Sequence, residues 1–121
     1  MPPRPQSSAG LVLARLMLAS VFITMGAWRL WQAWNGVPTS GATLSFSAGE
    51  LVLGLLLAAG WRLPVIALLS ALLMLVDAAM SHKFWALAEP ARSGQLLHFM
   101  KNMAIAGGFL LLALTAPGRR R

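Results

Sequence analysis

The chain has 121 residues, 58% of them hydrophobic and 11% charged, against about 25% charged in a soluble domain. That much apolar surface at this size excludes a water-soluble core and leaves an all-α integral membrane protein, with room for four spans of about 20 residues and no second domain. The absence of cysteine excludes disulfide exchange, thiolate metal ligation, c-type haem attachment and cysteine nucleophiles. The net charge of +7 sits on scattered cations and a terminal arginine cluster, with no basic face interleaved with aromatics, so nucleic acid is excluded as a partner and a lipid bilayer is implied.

In chain order, the proline- and serine-rich residues 1–10 read as a disordered cytoplasmic tail, with Ser7 or Ser8 available as an N-cap. The first span is predicted over about 11–31. Arg15 interrupts its apolar run, and Trp28, Arg29, Leu30 and Trp31 read as a membrane exit rather than a signal-peptide cleavage site. Arg15, Ala19, Phe22, Gly26 and Arg29 share one helical face, which carries two cations and two small residues and is predicted to point into a bundle. Asn35, Gly36, Pro38, Ser40 and Gly41 punctuate a loop over 32–43.

The second span is predicted over about 44–60, with Ser47, Glu50 and Gly54 on one face and a tight turn at Gly60, Trp61 and Arg62. The third covers about 63–80, with Pro64 tolerated in its first turn and a polar stripe of Ser70, Met74, Asp77 and Ser81. A longer loop over 81–95 carries His82, Lys83, Phe84 and Trp85, which suit a segment lying in the membrane interface. The fourth span, about 96–116, opens with His98, Phe99, Met100, Lys101 and Asn102 and holds Ala104 and Gly108 as a small-residue pair. A basic tail, 117–121, closes the chain. The expected architecture is a four-helix antiparallel bundle formed by one transmembrane domain, 11–116.

Arg4, Arg15, Arg62 and the three terminal arginines gather at one side of the membrane, six cations against Arg29, Lys83, Arg92 and Lys101 at the other. The positive-inside rule then predicts that both termini are cytoplasmic, in a bacterial inner (plasma) membrane. With that orientation Glu50 and Lys101 both lie about 10 Å below the outer surface, at about 1.5 Å per residue. Asp77, His82 and Arg29 reach the same half. Arg15 lies at the inner end, where it snorkels to headgroups or sits in the turn environment of Arg62.

Several stretches taken together resemble the DoxX family of small four-helix membrane proteins. They are Arg15 with Phe22 to Leu30, Glu50 to Gly54, Gly60-Trp61-Arg62, His82-Lys83-Phe84-Trp85, Phe99-Met100-Lys101-Asn102 and Gly107-Gly108. Arg29 stands where the family often has Lys. The resemblance implies a subunit or partner of a quinone-linked redox system, with quinone or a reduced sulfur compound as its ligand and a soluble or membrane redox partner. The absence of cysteine, of deep haem ligands and of a flavin motif predicts no haem or flavin. A homo-oligomer is also open.

The residues available for a quinone-head or small-anion site are Glu50, His82, Lys101, Asn102, Arg29 and Asp77. Glu50, Lys101 and Asn102 are predicted to converge, with His82 folding over them and Arg29 or Asp77 at the rim. A buried carboxylate beside an ammonium suits coupled electron and proton transfer, or else a structural ion pair that fixes helix packing. Met80, His82, His98 and Met100 place thioethers and imidazoles on the outer side, a donor set that suits Cu(I). No residue here carries electrons by itself, so any oxidoreductase activity requires a bound quinone or a partner. The other function left open is a non-catalytic anchor or assembly factor.

Overall fold

Four helices long and apolar enough to cross a membrane follow one another with short connections. In the structure, a computed structural model that describes residues 9–116, these are α1 (Ala9–Trp34), α2 (Gly41–Ala59), α3 (Leu63–Ser81) and α4 (Ala91–Thr115), with a 3₁₀ turn at Phe84–Ala86. The expected tail at 117–121, most of the expected tail at 1–10 and the cap at Ser7 or Ser8 lie outside the described residues. Ala9 and Gly10 already belong to α1.

The helix ends follow local chemistry. The side-chain amide of Asn35 donates to the carbonyl of Trp31 at 2.8 Å and caps α1, after which Gly36 turns the chain at φ 90°. Ser40 then accepts from the backbone N–H of Thr43 and starts α2. Gly60, at φ 78°, ends α2 as a left-handed cap whose N–H reaches the last turn. Arg62 follows at φ 46°, and Pro64 stands in the first turn of α3. Arg15 acts at this same end: its Nη2 donates to the carbonyl of Ala58 at 3.2 Å, beside Gly60. A cation at a helix C-terminus is stabilising, which accounts for a charge in the first span.

The closest packing runs within the α1–α2 and α3–α4 hairpins. Two glycines set the first. A Cβ on Gly26 would stand 2.7 Å from the carbonyl oxygen of Ser47 and 2.9 Å from the nitrogen of Leu51. A Cβ on Gly54 would stand 2.8 Å from Cγ1 of Ile23. The missing side chains let the two backbones approach, and in lipid that close packing drives helix association. Between the hairpins, Phe22 and Phe109 pack with tilted rings at a 5.0 Å centroid distance, and Leu18 lies over Gly108. Outside this narrow core the surface is apolar: Leu13, Val52, Leu72, Leu111 and Leu114 are all more than half exposed. Water would penalise such a surface, and hydrocarbon does not. The molecule is an all-α membrane bundle.

Candidate functional site

Arg29 stands one turn beyond Gly26, at the level where that glycine draws α1 onto α2. The carboxylate of Glu50 is therefore within reach, and Nη1 of Arg29 donates to its Oε1 at 2.7 Å. The Glu50 side chain is 3% exposed and that of Arg29 32%. The partner of Glu50 is thus Arg29, on the adjacent helix, and not Lys101. The side chain of Lys101 lies on an exposed part of α4, and no hydrogen bond or ion pair engages it among the described residues. Asn102, one position further and about 100° around the helix, faces α3 instead.

There Asn102 donates from Nδ2 to Oδ2 of Asp77 at 2.7 Å, and Ser81, one turn after Asp77, donates to Oδ1 at 2.8 Å. His82, the residue that ends α3, lies with Nε2 3.7 Å from Oδ2 of Asp77. Its Nδ1 is 2.7 Å from Oε1 of Gln95. Gln95 thus holds the ring by its Nδ1 edge, which leaves the Nε2 edge facing Asp77. The ring of His98 lies 5.3 Å from that of His82. Phe84 and Trp85 of the 3₁₀ turn pack edge-on against Phe99, at 5.3 and 5.9 Å, and so close the connected end of the α3–α4 hairpin.

Gln95 was not among the predicted site residues because 81–95 read as loop. The helix begins at Ala91, which places Gln95, His98 and Asn102 on one face at spacings of three and four. That spacing was the available signal.

These groups border a pocket of about 320 Å³ between the start of α2 and the end of α3. Thr43 and Phe46 line one side, Val76, Asp77, Met80, Ser81 and His82 the other, and Arg29 reaches in from α1. Of the six residues predicted for the site, Arg29, Asp77 and His82 line this pocket. Glu50 and Asn102 stand behind two of them, Glu50 holding Arg29 and Asn102 holding Asp77. Lys101 is not among the lining residues. The lining residues missed were Ala42, Thr43, Phe46 and Val76, ordinary helix residues with no chemical signature of their own, and Ser81, which the sequence placed on the polar stripe of the third span but not in the site.

The four residues considered for Cu(I) divide. Met80 lines the pocket, His82 and His98 lie ring against ring, and Met100 is exposed on α4. Among the described residues no three or more His, Cys, Asp or Glu side chains gather as a metal site. Chemically, the pocket offers a guanidinium donor, an imidazole nitrogen able to take or give a proton and a carboxylate, within walls of aromatic, aliphatic and thioether groups.

No protein-family model matches the chain, and no solved structure matches it. Two curated proteins do. It is 34% identical over 117 residues to the inner membrane protein YqjF of Escherichia coli strain K12, covering 90% of this chain and 85% of that protein. To the inner membrane protein YphA of the same organism it is 29% identical over 118 residues, covering 89% of this chain and 84% of that protein.

Proposed function

The chain belongs to the family of the Escherichia coli inner membrane protein YqjF, and from that premise we propose that it is a DoxX-like inner-membrane component of a quinone-linked redox system. Its site is the pocket between α2 and α3. Both termini face the cytoplasm in this reading, because Arg15 and Arg62 lie at the end of the bundle opposite the pocket, so that the pocket opens in the outer half of the membrane.

One observation carries the proposal: the pocket sets Arg29, Asp77 and His82 against Phe46, Val76 and Met80, the mixture that an apolar ring with polar oxygens requires. A quinone bound there would supply two-electron, two-proton redox chemistry, with the electrons coming from a partner protein. The chain's own residues bind and move protons. Arg29, oriented by Glu50, and Nε2 of His82 are the donors available to ring oxygens. Asp77, fixed by Asn102 and Ser81, stands beside Nε2 and stabilises the imidazolium when that nitrogen takes up a proton. The outer placement lets that proton exchange with the outer surface.

The test is organic extraction and mass spectrometry of protein purified in mild detergent, for wild type, His82→Ala and Asp77→Asn. The expected outcome is a quinone near one per chain in wild type and at least a tenfold loss in both variants. Quinone absent from the wild type, or retained equally by all three, refutes the reading.

A second reading is supported by Glu50, which is buried against Arg29 and does not line the pocket: the chain is a non-catalytic anchor or assembly factor and its charges lock the bundle. That reading predicts that His82→Ala and Asp77→Asn leave the assembly of a membrane redox partner unchanged.

A further inference from the structure

A second hollow, of about 470 Å³, lies between α3 and α4, and every residue that lines it is apolar. Leu68, Leu72 and Leu75 form one wall, and Met103, Gly107 and Leu110 the other. Gly107 leaves it open, since a Cβ there would meet nothing within 4 Å. Leu72 borders the groove and Val76 borders the pocket, one turn apart on the same outward strip of α3, and both side chains are exposed. Along the helix axis Asp77 and Leu68 are about 13 Å apart at about 1.5 Å per residue. The two hollows thus flank one exposed strip of α3, the pocket polar at the helix end and the groove wholly apolar toward the middle of the bundle.

We infer that pocket and groove form one site for an amphipathic, membrane-soluble molecule, with its polar ring between α2 and α3 and a long hydrocarbon tail laid along α3 into the α3–α4 groove. The inference rests on the reading of the pocket as a quinone-head site and adds the class of ligand: a long-tailed ring rather than a small soluble one. Moving a tail from lipid into the groove brings no hydrophobic gain, because lipid chains are as apolar as leucine. The groove acts through shape and dispersion, so its contribution is about tenfold in affinity, not many thousandfold.

The experiment uses the full chain in lipid nanodiscs and two probes with the same benzoquinone ring, one bearing a tail of several isoprene units and one bearing none. Gly107→Leu fills the groove where the structure has open space. Leu110→Trp, at an exposed position on the same wall, provides a second block if the first variant misfolds. Both blocks are expected to weaken the tailed probe by about tenfold and leave the tail-less probe unchanged, while His82→Ala weakens both probes. If wild type binds both probes and neither block separates them, the tail site is refuted and the pocket stands. If wild type binds neither probe, the pocket reading fails and the tail site with it.

Discussion

The Arg29–Glu50 pair makes an asymmetric prediction. Replacing Arg29 by Met leaves a carboxylate that is 3% exposed, with no cation and no route to water. Removing one partner of a buried pair destabilises by about 3–5 kcal/mol, and this substitution should fall in that range. Replacing Glu50 by Met instead leaves Arg29, whose side chain is 32% exposed and reaches the pocket between α2 and α3. A guanidinium that keeps a third of its surface retains much of its hydration, and the loss should be nearer 1.5–3 kcal/mol, about that of a hydrogen bond to a charged group. The double variant Arg29→Met/Glu50→Met replaces the pair by apolar chains of similar volume, which is often close to neutral. The order of stability is therefore wild type and double variant together, then Glu50→Met, then Arg29→Met. Reversible unfolding in mixed micelles, followed by the helical circular dichroism signal against the fraction of denaturing detergent, measures all four. A Glu50→Met loss equal to or larger than that of Arg29→Met would falsify the exposure argument. Additive losses in the double variant would remove the pair itself.

The same assay should give opposite signs for two glycines. Gly26→Ala places a methyl group 2.7 Å from one backbone atom of α2 and 2.9 Å from another, neither of which can rotate away, and should destabilise by about 2–3 kcal/mol. Gly107→Ala adds a methyl group in open space within a helix and should stabilise by up to about 1 kcal/mol; equal signs would contradict the close approach. For orientation, a fluorescent protein fused to the C-terminus should light up and an alkaline phosphatase fusion there should be silent. The reverse pattern would move the pocket to the cytoplasmic half.

Much of the fold was legible because its signals are local. Apolar run lengths placed the four spans, and Gly60 followed by Arg62 and Pro64 placed the α2–α3 turn. The shared face of Ser47, Glu50 and Gly54 is buried in full, as are Ala19, Phe22 and Gly26 on the predicted inner face of α1. The pairing of charges was read less well. Counting residues from a membrane surface gives the depth of Glu50 and Lys101 but not the direction in which each points around its helix. Lys101 shares that depth and faces outward. The better guide lay in the connections: helices joined by a short loop pack side by side, and the cation across the α1–α2 hairpin from Glu50 is Arg29. The early start of α4 was hidden by Pro90, Ser93 and Gly94, which read as loop, although Pro90 stands just before the helix. Gln95 was lost with it.

The polar ties described above all close within one hairpin. Arg15 and Arg29 bind α1 to α2, and the Asp77–Asn102 and His82–Gln95 contacts bind α3 to α4. The contacts named between the two halves, Phe22 on Phe109 and Leu18 on Gly108, are van der Waals only. Mechanically, the molecule is two stiff plates with a greased seam, joined by the Gly60–Arg62 turn at one end. The polar pocket lies in that seam, at the end away from the joint. Rocking the plates apart breaks none of these hydrogen bonds, and surrounding lipid chains replace the lost packing nearly in kind. Separation of the two halves at the seam would therefore leave each of these side chains with its partner.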